Sequence, residues 1–103
     1  MNELNIPPAA QEDENSIEML RVWIAQKGLH CSLRIGMYEE KADASEEKAW
    51  GIILADAVRH ISDGLESGYK KNYADTLQAI CRHFNDEISK PTSRMRGEFI
   101  KEH

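Results

Sequence analysis

From Leu29 to Tyr38 the chain alternates strictly, with Leu29, Cys31, Leu33, Ile35 and Met37 separated by His30, Ser32, Arg34, Gly36 and Tyr38. A period of two belongs to a half-buried β-strand, which sends one set of side chains to each face of a sheet. Such a strand needs an apolar lid over its odd-numbered face and hydrogen-bonding partners along its edges. In 103 residues both must come from one small core.

The preceding segment, Ile17 to Ala25, has two readings. As a helix, Asn15 and Glu18 would form a capping box and Gly28 would end it, but Met19, Val22 and Trp23 then leave the side shared by Ile17, Leu20 and Ile24. As a strand, Leu20, Val22 and Ile24 share one face, Arg21, Trp23 and Ala25 share the other, and Gln26-Lys27-Gly28 becomes a hairpin loop. The hairpin is preferred because it supplies the following strand with a neighbour. With Gln26 opposite Leu29, Arg21 faces Arg34, an unfavourable pair of like charges unless an anion or partner neutralises it. A bulge at Gly28 would shift the register and separate the two arginines.

Two helices follow. Asp43 or Ser45 can cap the first, Glu46 and Glu47 suit its first turn, and Trp50, Leu54, Ala57, Val58, Ile61 and Leu65 form its apolar stripe, widened by Ile53. Gly64 and Gly68 bracket its expected end. Asn72 can cap the second, whose stripe is Tyr73, Leu77, Ile80, Cys81, Phe84 and Ile88 and which Pro91 ends. A short connection makes the helices antiparallel, both stripes directed at the same sheet. The expected architecture is thus α/β of the α+β type, a β-hairpin covered on one face by an antiparallel helix pair in the order β-β-α-α. Residues 1–16, with Pro7, Pro8 and the polar run Gln11 to Ser16, read as a mobile arm, 17–90 as the single domain, and 91–103 as an irregular tail in which Phe99 can dock.

The formal charge of −5 argues against non-specific binding to nucleic acid or anionic membranes, since both depend on contacts from positive side chains. No apolar run approaches the roughly 20 residues that span a bilayer, and the start Met-Asn-Glu-Leu-Asn-Ile-Pro-Pro has neither the basic region nor the apolar run of a signal peptide. The two cysteines, Cys31 and Cys81, each fall on an apolar stripe and read as reduced core thiols. A cytoplasmic protein is expected, with no cofactor and no metal.

Few residues suggest chemistry. Asp56 and His60 lie four apart on one helix side, as do Arg59 and Asp63. They read either as surface ion pairs or as a site in which Asp56 orients His60 for acid/base work or anion binding. A metal site joining His60 to His83 needs both imidazoles on one side of the helix pair, together with carboxylates. Arg59 to Asp63 also aligns with Arg82 to Asp86 at an offset of twenty-three residues, which shared helix patterning explains. Trp23 and Arg34 are further binding candidates, on the sheet face away from the helices. No glycine-rich phosphate loop or nucleophile elbow is present.

Met19 to Ile24, the strand Leu29 to Ile35, Trp50-Gly51 followed by Leu54, Asp56 and Arg59-His60, and the late Lys90-Pro91-Thr92 together resemble a small bacterial family known as domain of unknown function 5076. The resemblance covers residues 17–92 and implies no activity. It directs attention to Asp56, Arg59 and His60 as signature polar residues, with a structural role expected for Asp56 or Arg59. The function expected is that of a small homo-oligomeric binding or interaction protein without its own catalysis, a dimer joined through the open hairpin edge. The alternative is a small enzyme or ligand-binding protein that uses Asp56 and His60.

Overall fold

The computed structural model describes residues 1–38 and 45–101. Its elements run α1 (Pro8–Glu12), β1 (Leu20–Ala25), β2 (Gly28–Ile35), α2 (Glu46–Tyr69), α3 (Tyr73–Ser89) and β3 (Gly97–Lys101). The fold is α+β in the expected order β-β-α-α, with a third strand after the helices. Residues 39–44, expected to form a loop and including the alternative cap Asp43, lie outside the described residues.

β1 and β2 form the expected antiparallel hairpin, but its register differs from both expected versions. Ala25 pairs with Gly28, Ile24 with Leu29, Val22 with Cys31 and Leu20 with Leu33. The loop is the two-residue Gln26-Lys27, with φ of 51° and 64°. Positive φ at both central residues belongs to the tight turn whose twist matches that of the flanking strands. The apolar face stays continuous, and Arg21 now opposes Ser32 instead of Arg34. Arg21 instead meets Glu18 Oε2 at 2.9 Å and Glu3 Oε2 at 3.2 Å, which holds its guanidinium above its ordinary pKa, the Glu18 hydrogen bond contributing most.

The tail expected to be irregular contains β3, which pairs with β2 in parallel, Cys31 with Gly97 through Ile35 with Lys101. The strand order β1-β2-β3 therefore fills the outer edge of β2. A parallel neighbour requires a long crossover, and the helix pair supplies it. Gly97, at φ 123°, makes the entry possible, because a Cβ there would overlap the backbone carbonyl of Cys31. The arm carries the short helix α1, which begins at Pro8 as its fixed φ favours.

α2 starts at Ser45, whose hydroxyl accepts from Lys48 N at 3.1 Å. It runs through Gly64 and Gly68, which were expected to end it, and stops at Lys70 in the left-handed region, φ 59°. Half-buried Leu65 keeps the helix going, and Lys70 N–H closes the end by donating to Glu66 O at 3.0 Å. Asn72 caps α3 by accepting from Asp75 N at 2.9 Å. No helix among the described residues is long and apolar enough to cross a membrane.

The helices pack on each other and the strands on each other, and among the described residues no helix is in extensive contact with a strand. Hydrogen bonds tie the two layers at the Glu46 carboxylate, which accepts from Gly36 N at 3.0 Å and Tyr38 N at 2.8 Å just beyond β2. The core is consequently thin. Ala49 is the only buried apolar residue among those described, Ser62 is fully enclosed, and Leu20, Leu33, Ile53, Val58 and Leu77 are half-buried.

Candidate functional site

The polar side of α2 gathers three of the five candidate residues. Asp56, Arg59, His60 and Asp63 line one open depression of about 250 Å³ with Tyr73, the first residue of α3. Spacings of three and four along α2 put the four polar residues on one side, and the short connection after Lys70 brings Tyr73 against them. His60 Nε2 lies 3.3 Å from Asp56 Oδ2, with the side chains 77% and 61% exposed. At that exposure the pair is water-screened and contributes a few tenths of a kcal/mol. Asp56 and Arg59 are both exposed, which disfavours the buried structural role expected for one of them. The floor is shallow, and the chemistry available is that of a hydrated surface: two carboxylates, one guanidinium and one imidazole presented to solvent.

Trp23 and Arg34 belong to the sheet. Trp23 is half-buried opposite His30, whose Nε2 is 3.1 Å from Ala25 O. Trp23 also lines a depression of about 210 Å³ with Asn2, Glu3, Leu4 and Arg21. Arg34 donates from its backbone N to Met19 O at 3.0 Å and from Nε to Glu18 O at 3.4 Å, so it anchors the lead-in to β1. The structure thus divides the five candidates between the polar side of α2 and the sheet.

Two residues acquire roles that the sequence did not suggest. Tyr73 lies on the apolar stripe by sequence and is half-buried, and it also reaches the depression, as an amphipathic side chain can. Glu46, by sequence an acidic residue of a first helical turn, is buried and accepts hydrogen bonds from Gly36 N, Tyr38 N and, at 2.9 Å, Trp50 Nε1. The spacing of Glu46 and Trp50, one helical turn, was the available signal. Among the described residues no group of three or more His, Cys, Asp or Glu side chains is arranged to hold a metal ion, and His60 and His83 line separate depressions.

One solved structure, described as that of a "putative pyruvate dehydrogenase" from the photosynthetic bacterium Rhodopseudomonas palustrus CGA009, superposes with a TM-score of 0.68 at 23% identity, covering 95% of this chain and 94% of that one. At that identity the likeness shows the fold alone. No curated protein matches the chain. The model of a family described as a domain of unknown function matches residues 3–92, which takes in most of the arm, the hairpin, both helices and the segment Lys90-Pro91-Thr92. The chain belongs to that family, DUF5076.

Proposed function

We propose that this protein is a homodimer that acts by binding, without chemistry of its own, and whose subunits complete each other's hydrophobic core. The observation that carries this reading is surface area. A folded monomer of 11.8 kDa exposes about 5,900 Å². This chain exposes 9032 Å². Its radius of gyration, 15.6 Å, likewise exceeds the roughly 13 Å of a compact domain this size. The excess, about 3,100 Å² per chain, is shared between the exposed arm and the uncovered faces of sheet and helices, and it leaves room for the 1,000 Å² or more, roughly, that each subunit contributes to an obligate dimer interface. Pairing of strand edges alone would bury far less, so faces as well as edges take part.

Two unpaired thiols, half-buried Cys31 and exposed Cys81, suit a reducing compartment, and we place the protein in the bacterial cytoplasm. The net negative charge disfavours nucleic acid as the ligand. Sedimentation equilibrium from 1 to about 50 µM tests the dimer, whose melting temperature should also rise with protein concentration. A monomer throughout that range overturns the proposal.

A second reading rests on the depression formed by Asp56, Arg59, His60, Asp63 and Tyr73, which could take a small polar ligand. A thermal-shift screen against metabolites, nucleotides and divalent metals tests it, because a ligand that binds only the folded state raises its melting temperature.

A further inference from the structure

Each chain presents two apolar faces that its described residues leave uncovered. On the sheet, Val22 is 52% and Ile24 82% exposed. On the helices the stripe of α2 is only half used. Its flank of Val58, Ser62 and Leu65 is buried or half-buried, whereas Leu54, Ala57 and Ile61 on the other flank are exposed, as are Phe84 and Ile88 of α3. These are the surfaces that in a two-layer α+β domain lie against each other, and among the described residues of one chain they are not in extensive contact.

We propose that two copies pair reciprocally, the α2/α3 face of each lying on the apolar sheet face of the other. This rests on the self-association proposed above and specifies its geometry. Three observations favour it over a union of like faces. The excess surface per chain, about 3,100 Å², is enough for two such contacts per dimer. Both faces are used once in each chain, so a two-fold axis closes the assembly and leaves neither exposed. The sheet face is also not flat: between β2 and the segment leading into β3 it carries an apolar groove of about 480 Å³, lined by Leu29, Cys31, Leu33, Met95 and Phe99. Such a groove accepts the convex ridge of a helix more readily than a second sheet.

The test uses full-length chain and two variants, Ile24→Glu on the sheet face and Ile61→Lys on the helix face. In the reciprocal dimer each variant alone places an unpaired charge in both contacts, and its dimer dissociation constant rises about a hundredfold or more. An equimolar mixture restores association, because the heterodimer has one wholly wild-type contact and opposite charges in the other. Sedimentation equilibrium and far-UV circular dichroism on each variant and on the mixture read this out, and recovery on mixing is decisive even if the isolated variants unfold. Weakening by only one variant points to like-with-like faces, and weakening by neither to strand edges. Either result overturns the proposal, as does weakening by both without recovery on mixing. A monomeric wild-type chain would defeat the dimer itself, whereas these outcomes on a dimeric wild type defeat only its geometry.

Discussion

Trp50 donates its indole N–H to Glu46 Oε2 at 2.9 Å, one turn back along α2, and the same oxygen accepts the backbone N–H of Gly36 at 3.0 Å. Glu46 Oε1 accepts from Tyr38 N at 2.8 Å. A single buried carboxylate therefore fixes where the chain leaving β2 meets the start of α2. Hydrogen bonds to a charged acceptor contribute about 1.5–3 kcal/mol each, and stranding buried donors costs the full desolvation of each. Glu46→Ala should destabilise by about 2–4 kcal/mol and Trp50→Phe by about 1–2 kcal/mol. Urea unfolding at fixed protein concentration checks both, and the double variant should lose less than the sum.

The Gln26-Lys27 turn stores strain in a form that can be removed. Both residues have a Cβ and both adopt positive φ, a region that costs an ordinary residue about 1 kcal/mol and that asparagine and glycine tolerate. Combining Gln26→Asn with Lys27→Gly should therefore stabilise the hairpin by about 1 kcal/mol. A lower urea midpoint for the double variant would contradict the turn geometry.

Alanine should have opposite effects at two glycines. At Gly97 a Cβ overlaps the Cys31 backbone and φ is 123°, so Gly97→Ala should release β3 from β2. Amide exchange should then lose protection at Glu98 and Ile100, whose N–H groups are the ones a parallel ladder begun by Cys31 N donating to Arg96 O turns toward β2. At Gly64, inside α2, a Cβ meets nothing within 4 Å. Gly64→Ala should raise stability by up to about 1 kcal/mol through helix propensity alone.

Local patterning made the hairpin and both helices legible. Alternation through Leu29–Tyr38 revealed β2, the caps Ser45 and Asn72 and the long stripes revealed α2 and α3, and β1 followed from β2's need for a neighbour. β3 was not legible because Phe99 and Ile100 are adjacent, giving no alternation, and its partner lies more than sixty residues away in sequence. The hairpin register was missed because Gln26-Lys27 lacks the asparagine and glycine that announce a two-residue turn. Gly64 and Gly68 misled for the converse reason: glycine weakens a helix, but packing of the stripe through Leu65 outweighs a cost of about 1 kcal/mol at each. At the candidate site, spacing alone places Asp56, Arg59 and His60 on one side of α2, whereas the approach of Tyr73 depends on how α3 returns along α2.

Acid should loosen the end of α3. Glu87 accepts from Thr92 N at 3.0 and 3.2 Å and from the Thr92 hydroxyl, and these bonds hold its carboxyl below the ordinary value, the side-chain bond contributing most. A carboxyl with a lowered pKa in the folded state stabilises above its unfolded pKa, and the contribution disappears as pH falls through the folded value. The tie across Pro91 should therefore open on the acid side of about pH 4. Thr92→Val removes the hydroxyl donor, so an NMR titration of Glu87 should move upward in that variant. An unchanged titration would show that the hydroxyl bond does not form in solution.

Asp56 and His60 stand 3.3 Å apart with side chains 61% and 77% exposed. A pair so hydrated carries little of the fold, so Asp56→Ala and His60→Ala should each change stability by less than about 0.5 kcal/mol. Tyr73→Ala should cost clearly more, because its ring is half-buried at the start of α3. That contrast lets binding be separated from folding. If a compound from the thermal-shift screen occupies the depression, its stabilising shift should vanish in the two alanine variants while their melting temperatures without ligand stay at the wild-type value. Loss of more than about 2 kcal/mol from either substitution would instead identify a hidden polar network and remove the depression as a ligand site.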